Sequence, residues 1–176
     1  MKRFLPWTLV LALLAVSGCV IESTLEPAGS AVVKISYRTV GGKGKLETER
    51  KKMEGPNVTV TSGTIDDYGK VTFELKVKDV TKLSTSKFFQ HVTVTLTDGS
   101  EGTKVLSAKL VNTKPLKLDE KMLEYFGHGA TISVTTPGDI TASNATTTSG
   151  KTATWTKPLT DVMGAPEMTF TVTYKA

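Results

Sequence analysis

The sequence has 176 residues, 22 Lys and Arg against 17 Asp and Glu, a formal net charge of +5, and one cysteine. A chain of this length can form one domain with a substantial core. A single cysteine excludes an intramolecular disulfide. The mild positive charge is not gathered into the basic stripe typical of nucleic-acid-binding proteins, so no nucleic-acid partner is expected.

The first 18 residues have the order of a secretory signal peptide. Lys2 and Arg3 precede the apolar run 9–16, and small residues follow at Ser17 and Gly18. Such peptides have an apolar core of roughly 7–15 residues, whereas a helix that spans a membrane needs about 20. The sequence therefore predicts a signal peptide over 1–18 and one extracytoplasmic β-rich domain over 19–176.

The motif 16–19, Val-Ser-Gly-Cys, resembles the bacterial lipobox. That resemblance implies that a lipid, with fatty acyl chains such as palmitate, is joined to the Cys19 sulfur through a thioether, and that cleavage makes Cys19 the first mature residue. A thiolate is the good nucleophile that such chemistry needs. The alternative is a signal peptide that merely has a cysteine in its tail. Removal of 1–18 takes away Lys2 and Arg3 but no acidic residue, so the formal charge of +5 becomes +3.

The lipobox resemblance also predicts where the protein lies. Two or three acyl chains hold a protein firmly on a membrane, since each buried methylene contributes about 0.8 kcal/mol. Val20 follows the cysteine where aspartate would signal inner-membrane retention. We expect a lipid-anchored envelope protein that faces outside the cytoplasm, on the outer membrane or on the outer face of the cell membrane.

In the first half of the chain, alternating residues predict two hairpins separated by a short helix. The first hairpin pairs 20–26 with 31–38 across a turn at 27–30, so almost no tether would separate Cys19 from the folded domain. The second pairs 57–62 with 70–78 around a polar turn.

Good helix formers followed by Gly55-Pro56 predict a helix over 45–54. Leu46, Arg50 and Met53 would form its inward stripe. The basic run 50–52 would lie on a solvated face, neutralised by the helix's acidic residues Glu47, Glu49 and Glu54.

The second half is predicted to be mostly strand. Residues 79–89 would form a short helix or turn with Phe88 and Phe89 packed inward. Asp98-Gly99 is a strong hairpin signal between the strands 91–97 and 102–111. A helix would cover 119–126, with Asp119 as its N-cap and Gly127 as its stop. Three further strands are predicted at 131–135, 152–156 and 168–174.

These elements predict an α+β fold, with a largely antiparallel sheet of about eight to ten strands and two or three short helices packed on it. A β-sandwich is the alternative. Strands joined in succession by short turns argue against a doubly wound parallel fold.

The C-terminal third resembles a known family. The phrases Thr-Pro-Gly-Asp-Ile-Thr-Ala-Ser-Asn at 136–144 and Gly-Lys-Thr-Ala-Thr-Trp at 150–155, together with the lipobox, are similar to those of the LppM-like bacterial lipoproteins. The resemblance implies an α+β domain outside the cell membrane, with a lipid-binding-like body and a role at the envelope surface. It supplies no catalytic residue.

No motif predicts catalysis or a cofactor. His91 and His128 lie 37 residues apart on different predicted elements, and both are expected to be surface residues. Trp155 is expected to be a core side chain. No P-loop, G-x-S-x-G or H-E-x-x-H motif occurs. We therefore predict no catalytic, cofactor or metal-binding residue, and Cys19 as the single site, for lipid attachment.

Three functional hypotheses follow. The first is a noncatalytic envelope lipoprotein, bound to the membrane through Cys19, that holds a lipid or glycolipid between its sheet and helices. The second is a structural or assembly factor that binds an envelope protein through an exposed sheet edge. The third, an unrecognised hydrolase, would require His91 or His128 to meet a carboxylate or serine in a pocket.

Overall fold

The computed structural model describes residues 17–40 and 42–176. These residues form eleven strands and three short α-helices, with 3₁₀ turns at Gly42–Lys45 and Val80–Thr85. The strands are β1 Ser17–Leu25, β2 Ala31–Arg38, β3 Val58–Ile65, β4 Lys70–Val77, β5 Val92–Asp98, β6 Thr103–Val111, β7 Gly129–Thr135, β8 Ile140–Ser143, β9 Thr147–Ser149, β10 Thr152–Pro158 and β11 Glu167–Lys175. The helices are α1 Leu46–Met53, α2 Glu120–Phe126 and α3 Leu159–Gly164.

The strands form two sheets. The larger has seven strands in the order β3-β4-β2-β1-β7-β10-β9, and the smaller has four in the order β5-β6-β11-β8. Within both sheets the neighbours are antiparallel, except for the central pair β1 and β7, which is parallel. The larger sheet is therefore mixed, with β1 hydrogen-bonded on both sides.

The two sheets share one apolar core. Alternate residues of β2 and β4 point inward and are almost completely buried, among them Ile35, Phe73 and Leu75. Inward residues of the smaller sheet, such as Val172 and Tyr174, belong to the same cluster. Trp155 of the larger sheet meets Phe170 of the smaller one edge to face, with ring centroids 5.5 Å apart. Burying these side chains from both sheets supplies most of the hydrophobic stabilisation.

The predicted fold class is confirmed. The fold is α+β and β-rich, most strand pairs are antiparallel, and the two hairpins of the first half and the one at Asp98-Gly99 all form. Helix α2 has the predicted ends: the Asp119 carboxylate accepts a hydrogen bond from Met122 N, and Gly127 adopts a φ of 92° that suits glycine.

Three features differ from the prediction. The strands divide into two sheets over a common core, as in the sandwich alternative. The short strands β8 and β9 and the helix α3 were not predicted. The pairing of β1 with β7, more than 100 residues later in the chain, also lay beyond the sequence pattern, because a period of two identifies a strand but not its partner.

The predicted signal peptide lies mostly outside the described residues, which begin at Ser17. Its last two residues, Ser17 and Gly18, start strand β1. Among residues 17–40 and 42–176, no helix has the length and apolar composition needed to cross a bilayer.

The sandwich has two distinct ends. We call the end at which β1 and β7 begin and β2 and β10 finish the Cys19 end. The turn at 27–30 between β1 and β2 lies at the other end, which we call the far end.

Candidate lipid-attachment site and adjacent groove

Cys19 lies near the beginning of the central strand β1. It pairs with Tyr37 of β2 on one side and with Ala130 of β7 on the other. Its side chain is half-buried, and this burial raises the pKa of the thiol to about 11. The sulfur shares the inward face of the sheet with Ile21 and Leu25, because side chains alternate along a strand.

The residue before the cysteine is tightly enclosed. A Cβ built on Gly18 would lie 1.8 Å from the carbonyl oxygen of Phe126, at the end of helix α2. A real Cβ cannot approach a backbone oxygen so closely, so only glycine fits there without a shift. A small residue at this position is thus required both by the lipobox resemblance and by the packing of the unprocessed chain.

A groove of about 500 Å³ opens beside this strand end, between the end of β2 and the helices α1 and α2. We call it the Tyr37 groove. Its apolar wall is formed by Tyr37, Phe88 and Phe126. Its remaining lining is largely polar or charged and comprises Arg38, Thr39, Lys45, Thr48, Glu49 and Lys52, together with Val40.

A buried carboxylate forms the polar floor of the groove. The Glu49 side chain is only 6% exposed. It accepts a hydrogen bond of 2.7 Å from the Tyr37 hydroxyl at Oε2, and one of 2.6 Å from Lys52 Nζ at Oε1. The Thr39 hydroxyl lies 3.5 Å from Oε1. The charge is therefore compensated, as a buried carboxylate requires.

The same contacts set the ionisation of these groups. Burial disfavours the charged form of Glu49, but the hydrogen bonds from Lys52 and Tyr37 and the Lys52 charge outweigh it and lower the Glu49 pKa. Burial, followed by the hydrogen bond to Glu49, raises the pKa of Tyr37 far above its ordinary value. At neutral pH the pair is a neutral phenol that donates to a carboxylate.

The rim of the groove is held by contacts between distant parts of the chain. Arg38 donates from Nη1 to the carbonyl oxygen of Tyr125 over 2.9 Å, and the Tyr125 hydroxyl donates to the carbonyl oxygen of Thr39 over 3.1 Å. The Arg38 guanidinium carbon lies 6.0 Å from the centre of the Tyr125 ring. On the apolar wall, the rings of Tyr37 and Phe88 lie 5.4 Å apart. Helix α2 is thereby fixed to the end of β2.

The residues singled out in the sequence have these positions. His91 and His128 are both exposed and lie on different elements. Trp155 is buried in the core, as predicted, with 2% of its surface exposed. Phe89 is buried and Phe88 is half-buried. Within the described part of the chain, no three His, Cys, Asp or Glu side chains form a group that could hold a metal ion.

The prediction for helix α1 needs a correction. The predicted inward stripe was Leu46, Arg50 and Met53. Met53 is buried and Leu46 packs on the core, but Arg50 is half-exposed and Glu49 is buried instead. Glu49 was expected on a solvated face. Its spacing of three from Leu46 and four from Met53 places all three on one helix stripe, so a signal was present. The charge obscured it, because a carboxylate is rarely buried without a partner.

Tyr37 was also missed as a site residue. Its alternation with Ile35 marks it as inward-facing, but nothing in the local sequence indicates that a helix would place a carboxylate over it. The contact joins residues that are 12 positions apart across the 3₁₀ turn and α1.

Comparisons with known proteins give one similar structure. No family model matches the chain. No curated protein matches it either. Among solved structures, the chain is similar to the NMR structure of the folded domain of LppM from Mycobacterium tuberculosis, with a TM-score of 0.47 and 12% sequence identity over 91% of each chain. At this level the likeness assigns no residue and no ligand.

Proposed function

We propose that this protein is a noncatalytic lipoprotein of the bacterial cell envelope. Acyl chains on Cys19 hold it at a bilayer surface outside the cytoplasm, and the Tyr37 groove binds the headgroup of a lipid or glycolipid from that bilayer. The observation that carries the proposal is that the groove opens beside the strand end that holds Cys19.

The anchoring part rests on the lipobox motif and on the position of Cys19 in the sheet. Only two described residues of β1 precede Cys19. A chain cleaved before Cys19 would therefore have its lipid attached directly to a strand of the folded domain. The groove would lie close to the membrane surface at all times, and a bilayer lipid would meet it at high effective concentration.

The binding part rests on the two kinds of wall in the groove. Tyr37, Phe88 and Phe126 offer aromatic surface that suits the apolar face of a sugar ring or the upper part of an acyl chain. Lys45 and Arg38 place positive charge at the opening, where a phosphate could be bound. Glu49 offers oxygens to hydroxyl groups, although it already has protein partners. This mixture is typical of sites that bind amphipathic ligands.

The anchoring part is tested by flotation of membranes from cells that express the chain. We expect the wild type to float with the vesicles and to carry an acylated Cys19 by mass spectrometry of its N-terminus, and Cys19→Ala to stay in the soluble fraction or to float only as an unprocessed precursor. A processed Cys19→Ala chain that floats like the wild type would contradict the proposal.

The binding part is tested by native mass spectrometry and by titration with defined phospholipids and glycolipids in detergent micelles. Lys45→Ala removes a groove cation, and Lys76→Ala, on the outward face of β4, is its matched control. We expect Lys45→Ala to weaken binding of an anionic headgroup by about three- to tenfold, the range for a partly solvated charged contact, and Lys76→Ala to leave it unchanged. Equal affinities for both variants would place the ligand elsewhere.

The alternative, a partner that adds to a sheet edge, also has a specific observation in its favour. Strand β5 has seven residues and is an edge strand of the smaller sheet, with only β6 beside it as a strand partner among the described residues. The Leu96 amide points away from β6, because Val111 N donates to His91 O and Gly99 N donates to Thr103 O, which places the odd-numbered residues of β5 in the hydrogen-bonded pairs. Leu96→Pro would therefore remove an open edge amide. Loss of a stoichiometric envelope partner from this variant in crosslinking, with the fold intact, would favour this function over lipid binding.

A further inference from the structure

Large apolar side chains that are exposed to solvent are unevenly distributed on this protein. Six such side chains occur among the described residues, with exposed fractions from 37% to 76%: Val40, Tyr68, Val111, Leu116, Met122 and Tyr125. Single exposed apolar residues are ordinary on a protein surface, but a group of them at one place marks an interaction site.

Three of these side chains lie together beside the Tyr37 groove: Val40, Tyr68 and Tyr125. Val40 follows Thr39, whose amide donates to the carbonyl oxygen of Gly69, the residue after Tyr68. The Tyr125 hydroxyl donates to the carbonyl oxygen of Thr39. The end of β2, the turn between β3 and β4, and helix α2 therefore meet at the Cys19 end. Met122 is the fourth of the six exposed side chains, and it lies one turn before Tyr125 on that helix.

The remaining two, Val111 and Leu116, lie at the same end of the smaller sheet. Val111 is the last residue of β6, and its partner Glu167 is the first residue of β11. The Leu116 amide donates to the carbonyl oxygen of Met163 in α3. That helix directly follows Pro158, which pairs with Gly129 at the start of β7. All six exposed side chains thus belong to the Cys19 end.

The far end is different in character. Its turns are at 27–30, 100–102 and 137–139, and they consist of proline, glycine, small and charged residues. None of the six exposed large apolar residues of the described chain lies there. The molecule therefore has one apolar end and one polar end along the direction of its strands.

We propose that the Cys19 end is a bilayer-docking face, whose six exposed side chains enter the interfacial region of the membrane that holds the lipid on Cys19. This inference rests on the anchoring part of the proposed function. Tyrosine is enriched at membrane interfaces because its ring is apolar and its hydroxyl is polar, and Tyr68 and Tyr125 offer both. The docked domain stands with its strands steep to the membrane and with its far end in water.

The charges at this end determine the kind of contact. The positive charges of this end include the groove residues Arg38 and Lys45. Acidic residues of the same end accompany them and the other lysines, so both signs are interspersed and no strong positive field results: Glu47 is near Lys45, Asp66 near Lys70, and Glu120 and Glu124 near Lys121. The face thus docks mainly by apolar contact. Its burial in the membrane should depend little on salt or on anionic lipid.

The experiment places a reporter tryptophan at each end of the mature lipidated protein. Val40→Trp marks the docking face and Ser100→Trp the far end, while the native Trp155 is buried and common to both. Each variant is reconstituted into phosphatidylcholine vesicles with brominated acyl chains, which quench tryptophan at short range. Tyr68→Trp is a second reporter on the docking face, in case the first alters folding.

We expect bromolipid to quench Val40→Trp and Tyr68→Trp at least twice as strongly as Ser100→Trp, at low and at high salt. Equal quenching of both ends in a chain that floats with the vesicles overturns the docking face and leaves the anchor intact. Failure of the lipidated wild type to float overturns the anchor and the docking face together. Quenching that disappears at high salt overturns the apolar contact in favour of an electrostatic one.

Discussion

The hydroxyl of Tyr37 and the carboxylate of Glu49 lie 2.7 Å apart and join the central sheet to helix α1. The Glu49 side chain is only 6% exposed, and Tyr37 is half-buried at the floor of the groove. A hydrogen bond to a charged, buried acceptor contributes about 1.5–3 kcal/mol, more than an average protein hydrogen bond. This contact therefore holds the helical wall of the groove in place.

We expect Tyr37→Phe and Glu49→Gln each to destabilise the domain by about 1–3 kcal/mol in urea unfolding. The double variant should cost less than the sum, because each single change already breaks the shared bond. Glu47→Gln is the matched control, since Glu47 is on the same helix but 69% exposed, and it should have almost no effect. Additive single changes would show that the bond contributes nothing.

The Glu49 carboxylate should make stability depend on acid. Its pKa is lower in the folded than in the unfolded chain, so its contribution is fully present above the unfolded pKa of about 4.3 and is lost as the pH falls through the folded pKa. The stability difference between wild type and Glu49→Gln should therefore shrink below about pH 4. Urea midpoints at a series of pH values measure it, and a constant difference down to strong acid would contradict the assignment.

The thiol of Cys19 should react slowly in unlipidated, folded protein. Burial raises its pKa to about 11, so little thiolate forms at neutral pH, and the neighbouring strands restrict access. We expect the reaction with an aromatic disulfide reagent to be at least tenfold faster in urea than in buffer. Because the folded pKa exceeds the unfolded value, this group favours folding below about pH 8.5 and less so as the pH rises toward 11.

Gly18 offers a test of cleavage that is independent of the lipid. Gly18→Ala should destabilise a chain that keeps residues 17 and 18 by about 1–3 kcal/mol, because the new Cβ meets the Phe126 carbonyl. The same change in wild-type cells should leave the purified mature protein unaltered if cleavage falls before Cys19. A thermal shift between the two mature proteins would show that Gly18 is retained.

Asn144 connects the two sheets. Its Oδ1 accepts hydrogen bonds from Trp155 Nε1 over 2.9 Å and from the Thr171 amide over 2.8 Å, and its Nδ2 donates to the Thr169 carbonyl oxygen over 2.8 Å. We expect Asn144→Ala to cost about 1–2 kcal/mol, since the site is partly open to water that can replace some bonds. Ser149→Ala, on the exposed strand β9, is the control, and equal unfolding midpoints for the two variants would contradict this role.

The local sequence was sufficient for elements whose signals are local. The hairpin of β1 and β2 follows from two alternating segments around a turn that contains glycine, and α2 follows from an N-cap aspartate and a terminal glycine. Trp155 was identified as a core residue by alternation alone. Cys19 was predicted to be the lipid site from its lipobox context, and this stays a prediction.

Contacts between distant residues were decided only in the tertiary structure. Alternation made 131–135 a strand, but nothing in it predicted that this strand lies parallel to β1 and beside Cys19. Likewise, Glu49 was read as solvated because its partner Tyr37 comes from another element. A sequence pattern reports which face of an element is apolar. Which element packs against that face depends on the free energy of packing the whole chain. That packing places the groove and the six exposed apolar side chains at the Cys19 end.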